Sequence, residues 1–590
     1  MEVYFQLVKT EEQLRKVCNE VFDSEPAIGL DTETTSFDPH LGRLRLIQIS
    51  NGSTTVVIDL DAFSEMIAPG DNETLAPLRR LLSDKTKIKF IHNAKFDVKW
   101  IKHHLGVEVA GVFDTMLASI LLAAGDQEKR HSLAEASLNF LQVEVDKSEQ
   151  SSDWSNPELT ESQLRYAAAD ALMVYRLGKK LEELLLNEAM MKVAGLEFDA
   201  VVPLSVIEMN GMHVDKILWE EKLEYTHQRK KNVEEELKSV LARISSQKSL
   251  FSNKIQLDLE DQSQLNSFLS ELGIQIPAVS GKTRALRKIS TDFPQLNSLI
   301  EYQSLQKTLT DFGKSFLASI KEKTNRLHCD YRQIGNTAGY IKSNKPNLQQ
   351  IPSDYRACFV APEGKKIITA KYEDLELRVL AFLSDELKLI ELLRDEENPH
   401  RKIAARIFGT NGNNITPDHI SLVRRLNMAI VYGAGASFLA DITGTTQENA
   451  NKLMNLYFSA YPKVKLWLEK LSQRVEEEKL CRSLSGRRYR PKIDAPDKRK
   501  ALKRYAQIFA IQSLIADLVK RCLSALHEKL ANTSAKLIGV FQHGFIIECE
   551  VDDVEKINVL VRDLMEKKAV GYLSGVPINV KLSVSHFWEL

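Results

Sequence analysis

Three short apolar segments near the start of the chain predict β-strands. Residues 27–34 (AIGLDTET), 44–50 (LRLIQIS) and 54–60 (TTVVIDL) are rich in β-branched residues. Apolar residues then take a helical spacing at 73–84 (ETLAPLRRLLSD) and 115–125 (TMLASILLAAG). Strands that give way to helices in this manner predict an α/β domain.

The hydrophobic pattern changes near residues 185–205, where we place a domain boundary. Long amphipathic helices are predicted from about 200 to 325, and strands mix with helices again after residue 365. A chain of 590 residues is too long for one hydrophobic core. We therefore expect one domain over 1–195 and a second over 196–590.

Composition excludes several kinds of protein without identifying a function. The net charge is −1, so attraction to nucleic acid has to come from local basic segments such as 280–290 and 485–507. Six scattered cysteines without a CxxC pair argue against a zinc site and a disulfide framework. No signal sequence and no membrane-spanning segment is predicted. We expect a monomer in a reducing compartment, which is the cytoplasm (at the nucleoid) or an organellar or viral equivalent.

Asp31 and Glu33 are the first residues that indicate chemistry. They lie two positions apart at the end of an apolar strand, so strand alternation places both carboxylates on one face. Two carboxylates this close repel each other unless a cation lies between them, and hard divalent ions prefer such oxygens. A single D-x-E pair is common on surface strands, so this pair needs further ligands to be specific.

Two helical segments offer such ligands. Asn93 and Asp97 lie at i and i+4 in HNAKFDVKW, and Tyr166 and Asp170 have the same spacing in LRYAAADALMVYRL. Thr160 is a suitable N-cap for the second helix. A Tyr and an Asp four apart usually form a solvated helix edge. Asp170, however, interrupts an Ala- and Leu-rich helix, where metal coordination would satisfy an otherwise unfavourable buried carboxylate.

The order of these residues resembles the DEDD exonuclease superfamily, and the tyrosine is typical of its DEDDy branch. The resemblance implies an α/β domain of ribonuclease H-like fold that removes nucleotides from 3' ends with two Mg²⁺ (or Mn²⁺) ions. It implies that Asp31, Glu33 and Asp170 bind one ion. Asp31 would share the second ion, Asp97 would bind it directly or through water, and Tyr166 would orient the attacking water.

The rest of the chain resembles the family A DNA polymerases of the large-fragment type. The matching segments include LELRVLAFLSDE (375–386), RRLNMAIVYGAG (424–435), YFSAYPKVKLWLEKL (457–471) and AIQSLIADLVKR (510–521). The resemblance implies an α+β domain shaped like a right hand. Its subdomains would be the thumb at about 205–325, the palm at 326–385 and 525–590, and the fingers at 386–524.

The palm segments depart from the family pattern at the two metal-binding carboxylates. The family run D-Y-S-Q-I-E-L-R begins here with Lys371, and H-D-E becomes H-G-F, with Gly544 and then Phe545. An ammonium group repels the Mg²⁺ that a carboxylate would bind. Asp374 is three residues from Lys371 and is expected on the opposite face. Glu548 is expected roughly 13 Å from Gly544 along a strand, so neither acid is predicted to substitute.

The fingers segment departs as well, because Ile420 and Met428 replace an arginine and an aromatic residue that face the nucleotide in the family. Tyr340 stands where the family has an arginine. Other family positions that face nucleic acid are kept. By resemblance, contacts with nucleic acid are expected from Asn93, Arg424, Tyr432, Arg504, Gln512 and His543.

The leading hypothesis is a 3'→5' exonuclease that acts on DNA, joined to a polymerase-like body that binds DNA but no longer polymerises nucleotides. A second hypothesis is an active, divergent DNA polymerase that proofreads. A third is a non-catalytic nucleic-acid-binding protein. RNA also stays open as a substrate, because ribonucleases share the DEDDy arrangement.

Overall fold

The structure is a computed structural model that describes residues 3–64, 73–126, 129–248, 259, 261–271, 297–395, 397–410, 414–491 and 498–589. The basic segment at 280–290 lies outside these residues, as does part of the segment at 485–507. Within the described helices, none combines the length and the apolar character needed to cross a membrane.

The first part of the chain forms a mixed sheet with helices around it. Its elements are β1 (Gln6–Val8), α1 (Glu11–Lys16, continued by a π-helical turn, Val17–Val21), β2 (Ala27–Thr34), β3 (Leu44–Ser50), β4 (Thr55–Asp59), α2 (Asp61–Ser64), α3 (Ala76–Ser83), β5 (Ile88–Ile91), α4 (Lys95–Leu105), β6 (Val112–Asp114), α5 (Thr115–Leu122), α6 (Leu133–Leu141) and α7 (Glu161–Asn187). The predicted strands and helices of this part are confirmed.

The six strands of this sheet run in the order β1-β4-β3-β2-β5-β6. The hairpin strands β2, β3 and β4 pair antiparallel, whereas β5 and β6 add to β2 in parallel. Strand β2 therefore occupies the interior of the sheet. Helix α7 packs on β2. Thr160, the residue before the helix, accepts a hydrogen bond from the Gln163 N–H and so caps the helix as predicted.

The second part of the chain is larger and mixes long helices with small sheets. Its elements are α8 (Met191–Asn210), β7 (Met212–His213), α9 (Lys216–Lys248), α10 (Gln262–Glu271), α11 (Asn297–Phe312), α12 (Lys314–Ala318), β8 (Ile320–Lys321), β9 (Arg326–Leu327), β10 (Asp330–Arg332), β11 (Lys342–Asn344), β12 (Lys365–Tyr372), α13 (Leu375–Ser384), α14 (Leu387–Leu392), α15 (Pro399–Phe408), α16 (Pro417–Val431), α17 (Ala436–Thr443), α18 (Gln447–Ala460), α19 (Pro462–Glu478), β13 (Cys481–Arg482), β14 (Arg488–Tyr489), α20 (Lys498–Leu530), β15 (Lys536–Phe541), β16 (Gly544–Glu550), α21 (Val554–Tyr572) and β17 (Val580–Ser585).

A four-stranded antiparallel sheet forms the centre of the second part. Its strand order is β15-β16-β12-β17, so β12 lies between the hairpin strand β16 and the C-terminal strand β17. The Tyr372 hydroxyl, at the end of β12, contacts the Cys522 thiol on α20 and donates to the Met565 carbonyl on α21. Helices α20 and α21 therefore cover the face of the sheet to which Tyr372 points.

A buried ionic network holds helix α8, the first element after the exonuclease part, against the rest of the second part. The helix runs without a break across position 195, so the division into 1–195 and 196–590 stays a prediction. The Glu197 carboxylate accepts hydrogen bonds from Arg487 (2.5 Å) and from Lys520 (2.5 Å), and Arg487 also donates to Asp517 (3.1 Å). All four side chains are almost completely buried. Burial raises the pKa of Glu197, but the charges of Lys520 and Arg487 outweigh it and the pKa is lowered.

We expect Glu197→Gln to lower the free energy of unfolding by about 3–5 kcal/mol, because it leaves two buried cations with only the Asp517 carboxylate. Urea denaturation followed by circular dichroism would measure the change. Glu188→Gln is the matched control, since Glu188 pairs with Arg488 at the same junction but is exposed, and it should cost no more than about 1 kcal/mol. Equal effects of the two substitutions would contradict the role given to the buried network.

Candidate active site

Three carboxylates converge where β2 meets α7. Asp31 and Glu33 project from β2, and Asp170 projects from α7. One ligand oxygen of each residue lies within 4.8 Å of the others. Among the described residues this is the one group of three or more Asp, Glu, His or Cys side chains close enough to hold a common ion. The structure thus brings together three of the four acids that the sequence singled out, and their role as metal ligands stays a prediction.

Gly29 allows helix α7 to approach β2 closely enough for this convergence. A Cβ atom on Gly29 would lie 2.3 Å from the Ala171 carbonyl oxygen and 2.7 Å from the Tyr175 nitrogen. Ala171 follows Asp170 on α7, and Gly29 precedes Asp31 by two residues on β2. The glycine therefore sets the distance between the helix and strand that carry the carboxylates. Sequence reasoning missed it, although a glycine inside a strand is a known signal of close backbone approach.

Asp97 lies beside the three carboxylates but is not a member of their group. It is buried in the first turn of α4, where its Oδ1 accepts a hydrogen bond of 2.7 Å from the Thr32 hydroxyl. Thr32 lies between Asp31 and Glu33 on β2. The bond to Thr32 fixes the position of Asp97 in the described structure, and its role toward a second ion stays a prediction. Thr32 was also missed by sequence reasoning.

Burial and mutual repulsion make the charged forms of these acids unfavourable in the absence of a cation. Burial raises the pKa of Asp31 well above its ordinary value, and the charges of Asp97, Asp170 and Glu33 raise it further. The pKa of Glu33 is raised by burial and by the charges of Asp170 and Asp97. Burial raises the pKa of both Asp97 and Asp170 to about 7.

The donor set fits a hard divalent cation. Asp170 Oδ1 is buried and has no hydrogen-bond partner in the described part of the chain. A bound ion would satisfy this oxygen and remove the repulsion among Asp31, Glu33 and Asp170. Carboxylate oxygens without nitrogen or sulfur donors suit Mg²⁺ or Mn²⁺.

Tyr166 and Asn93 occupy different surroundings. Tyr166 lies one helical turn before Asp170 on α7, and its hydroxyl hydrogen bond lowers the pKa of Asp170 against the larger effect of burial. Asn93 does not share a helix face with Asp97, as the spacing suggested, because α4 begins only at Lys95. Asn93 instead has a left-handed backbone (φ 58°) and an exposed side chain, and its N–H donates to the buried Asp114 carboxylate.

The four-stranded sheet places Lys371 and Gly544 directly opposite each other on β12 and β16. Both positions therefore lie at the same end of neighbouring strands. A Cβ atom on Gly544 would lie 2.5 Å from the Ala370 carbonyl oxygen and 3.0 Å from the Phe541 ring. Phe545 follows in β16 and is fully buried. A side chain at position 544 would therefore clash with these groups already at its Cβ atom.

The neighbouring acids Glu548 and Asp374 have other partners in the structure. Glu548 pairs in register with Ile367, four residues along β12 from Lys371, and accepts two hydrogen bonds from Arg326 (2.9 and 2.7 Å). Asp374 does not simply point to the opposite face of the strand. It lies beyond the end of β12 in a left-handed conformation (φ 47°), and its carboxylate accepts a hydrogen bond of 3.0 Å from His400.

Helix α16 carries the predicted fingers residues on its surface. Arg424 and Met428 are exposed and Ile420 is half-buried, whereas Tyr432 lies just after the end of the helix. Behind this helix end, Gln512 hydrogen-bonds to Tyr432, and Arg504 packs against Gly433. In the palm, the Tyr340 hydroxyl bonds to the His543 ring (3.0 Å). Nucleic-acid contacts by these residues stay predictions.

Two family models match the chain. Residues 224–590 match the model described as DNA polymerase family A, and residues 5–186 match the one described as 3'-5' exonuclease. The chain belongs to DNA polymerase family A. It is an enzyme of this family with an α/β exonuclease domain in front of an α+β polymerase domain, and the predicted fold class is confirmed.

Bacterial family A polymerases cover the chain to different extents. DNA polymerase I of Aquifex aeolicus (strain VF5) is 27% identical over 99% of this chain and 99% of its own length. DNA polymerase I of Pseudomonas aeruginosa is also 27% identical, over 95% of this chain but only 63% of its own length. The chain thus spans nearly all of the first relative and less than two thirds of the second.

A solved structure shows the same fold over the whole chain. It is described as the POL domain of Pol1 from M. smegmatis in complex with DNA primer-template and dNTP. The TM-score is 0.83 over 99% of both chains, at 22% sequence identity. At this identity the likeness establishes the fold of this family A chain, and the chemistry has to be argued from its own residues.

We expect Gly29→Ala to reduce nuclease activity by about 100-fold, because the added methyl forces α7 away from β2 and separates Asp170 from Asp31. Cleavage of a 3'-labelled oligonucleotide measures the change. Gly195→Ala is the matched control, since no atom lies within 4 Å of the added methyl inside α8, and it should leave activity unchanged. Unchanged cleavage by Gly29→Ala would show that the close approach is not required.

We expect Mg²⁺ to raise the melting temperature more at pH 8 than at pH 5.5. In the metal-free protein the pKa values of Asp97 and Asp170 are about 7, above about 3.9 for an ordinary aspartate. Between those values the folded state binds more protons than the unfolded state, so its stability falls as the pH rises from about 4 to about 7. A cation offsets this loss only where the acids are ionised. Calorimetry in EDTA and in Mg²⁺ tests this, and equal shifts at both pH values would contradict it.

Proposed function

We propose that this protein is a 3'→5' exonuclease that removes nucleotides from DNA 3' ends with two divalent ions, Mg²⁺ or Mn²⁺. The observation that carries the proposal is the convergence of Asp31, Glu33 and Asp170 within 4.8 Å. The match of residues 5–186 to the 3'-5' exonuclease model supports it. DNA is favoured over RNA because the relatives are DNA polymerases and the solved neighbour holds a DNA primer-template.

The residues of the site would have different roles in phosphodiester hydrolysis. Divalent ions at such a site activate water and stabilise the charge that develops on the leaving oxygen. Asp31, Glu33 and Asp170 would hold the first ion, and Asp31 and Asp97 the second. Burial and the charges of Asp170 and Glu33 raise the pKa of Tyr166, so its hydroxyl stays protonated. Tyr166 would therefore act as a hydrogen-bond donor that orients water or phosphate, and not as a base.

An exposed aromatic residue that is close in sequence to Glu33 would support the nucleic-acid strand. Phe37 follows Glu33 by four residues, in the connection after β2, and 94% of its surface is exposed. At this exposure the aromatic ring is accessible to a ligand. Bases of a single strand stack on such rings without sequence preference. We infer that Phe37 contacts the unpaired 3' end.

The polymerase-like body is proposed to bind DNA without polymerising nucleotides. Lys371 and Gly544 stand where family members hold metal with carboxylates, and the Ala370 carbonyl and Phe541 ring fill the space beside Gly544. Templated polymerisation is the second candidate, because residues 224–590 match the polymerase family and the relatives are named DNA polymerases.

We infer that the protein acts on DNA as a monomer in a reducing compartment. All six cysteines are free and buried. The curated relatives with near-complete coverage are bacterial, which favours the bacterial cytoplasm.

A pair of assays separates the two candidate functions. We expect Asp31→Asn to reduce shortening of a 3'-labelled single strand by more than about 100-fold. Loss of a residue that only positions a metal ligand typically lowers activity about 10–100-fold, and loss of the ligand itself should lower it further. Asp23→Asn, which alters an exposed acid of the same domain, is the control and should retain full activity. Primer extension with dNTPs is then measured in the Asp31→Asn protein. No extension supports the loss of polymerisation, and robust extension would overturn it. Absence of cleavage by the unsubstituted protein in both Mg²⁺ and Mn²⁺ would overturn the nuclease itself.

A further inference from the structure

Two lysines lie directly opposite each other in the palm sheet. Lys371 on β12 pairs in register with Lys581 on β17. Residues paired in this way in an antiparallel sheet project to the same face, with Cβ atoms about 4.5–5.5 Å apart, and like charges at such positions are destabilising. The sheet therefore places two ammonium groups close together at the end where the family binds metal.

Among the described residues, neither lysine forms an ion pair that would relieve this repulsion. In the part of the chain that the structure describes, no carboxylate oxygen lies within 4.0 Å of either ammonium group. Lys371 is half-buried and Lys581 is exposed. The side chain of Tyr372, next to Lys371, points toward α20 and α21. Strand alternation therefore directs Lys371 and Lys581 to the face away from those helices.

Two acids on neighbouring elements have contacts of their own. Glu376 on α13 lies 3.7 Å from the His543 ring on the β15–β16 turn. Glu589 accepts a hydrogen bond of 2.6 Å from Ser583, two residues beyond Lys581 on β17. Burial lowers the pKa of His543, the charge of Glu376 raises it, and the charge of Lys371 lowers it by less than Glu376 raises it. Glu376 and Glu589 thus each have a contact other than the two lysines.

We propose that Lys371 and Lys581 form a phosphate-binding site that works without metal. The ligand is a phosphate group, which two ammonium groups can bind as point charges. The phosphate group belongs either to the backbone of a DNA strand across the sheet or to the triphosphate of a free nucleotide. The experiment below distinguishes these two sources. In either case, direct cationic contact replaces the carboxylate–metal–phosphate arrangement of the family. This inference rests on the proposal that the polymerase-like body binds DNA.

The test measures binding of a fluorescent primer-template to the full chain carrying Asp31→Asn, in excess EDTA at several salt concentrations. We expect binding to persist in EDTA. Lys371→Gln and Lys581→Gln should each weaken it and reduce the slope of log K against log salt by about 1, the loss of one phosphate contact. Lys371→Arg should retain the slope. Lys366→Gln is the control, because Lys366 lies on β12 in register with Cys549, at the far end from Gly544, and should leave binding unchanged.

Competition by a nucleotide and thermal unfolding are measured as well. Competition by a dNTP in EDTA, lost in the Lys371→Gln protein, would assign the site to a free triphosphate, whereas no competition assigns it to the strand. Thermal unfolding should show Lys371→Gln to be at least as stable as the parent, because a like-charge contact is removed. Unchanged affinity and salt slope in both lysine variants, or binding that requires Mg²⁺, would overturn the proposal. A separate 3'-end cleavage assay on the unsubstituted protein tests the nuclease, so failure of either proposal is visible without the other.

Discussion

The mutual repulsion of buried carboxylates is the constraint on which the exonuclease site depends. Asp31, Glu33 and Asp170 lie on two elements whose spacing is fixed by the sheet and by the close approach at Gly29. The backbone therefore holds the acids together against their charge, and burial raises the pKa of each of them. A pocket arranged in this way stabilises a divalent cation because the ion removes a repulsion that the fold has already imposed.

The four-stranded sheet of the second part presents two lysines where the exonuclease sheet presents carboxylates. This sheet is intact, and β12 pairs with β16 and β17 over most of its length. At its end, Lys371 faces Lys581 across one pairing and Gly544 across the other. One chain thus combines a site that attracts cations with a site that attracts anions. Such a division suits a protein whose body holds the phosphates of a strand while its nuclease domain cleaves the end.

Helix α8, which follows the exonuclease domain, is held against the second part by charges that are removed from water. Glu197 on α8 binds Arg487 and Lys520, which belong to the polymerase-like part, and Asp517 balances the second positive charge. Buried ion pairs of this kind add little net stability compared with apolar packing, but they tolerate few alternative geometries. The network therefore fixes how α8 leaves the exonuclease domain and enters the body.

The sequence by itself determined the strands, the helix carrying Asp170, the identity of the three converging acids and the substitutions in the palm. Periodicity and motif order are local properties, so they can be read without coordinates. Only the tertiary structure decided the rest. Asn93 does not lie on the predicted helix face because α4 begins two residues later, at Lys95. Asp97 accepts a hydrogen bond from Thr32. The pairing of Lys371 with Lys581 joins positions that are far apart in the chain, and strand register, which depends on packing of the whole sheet, is not encoded in either segment alone.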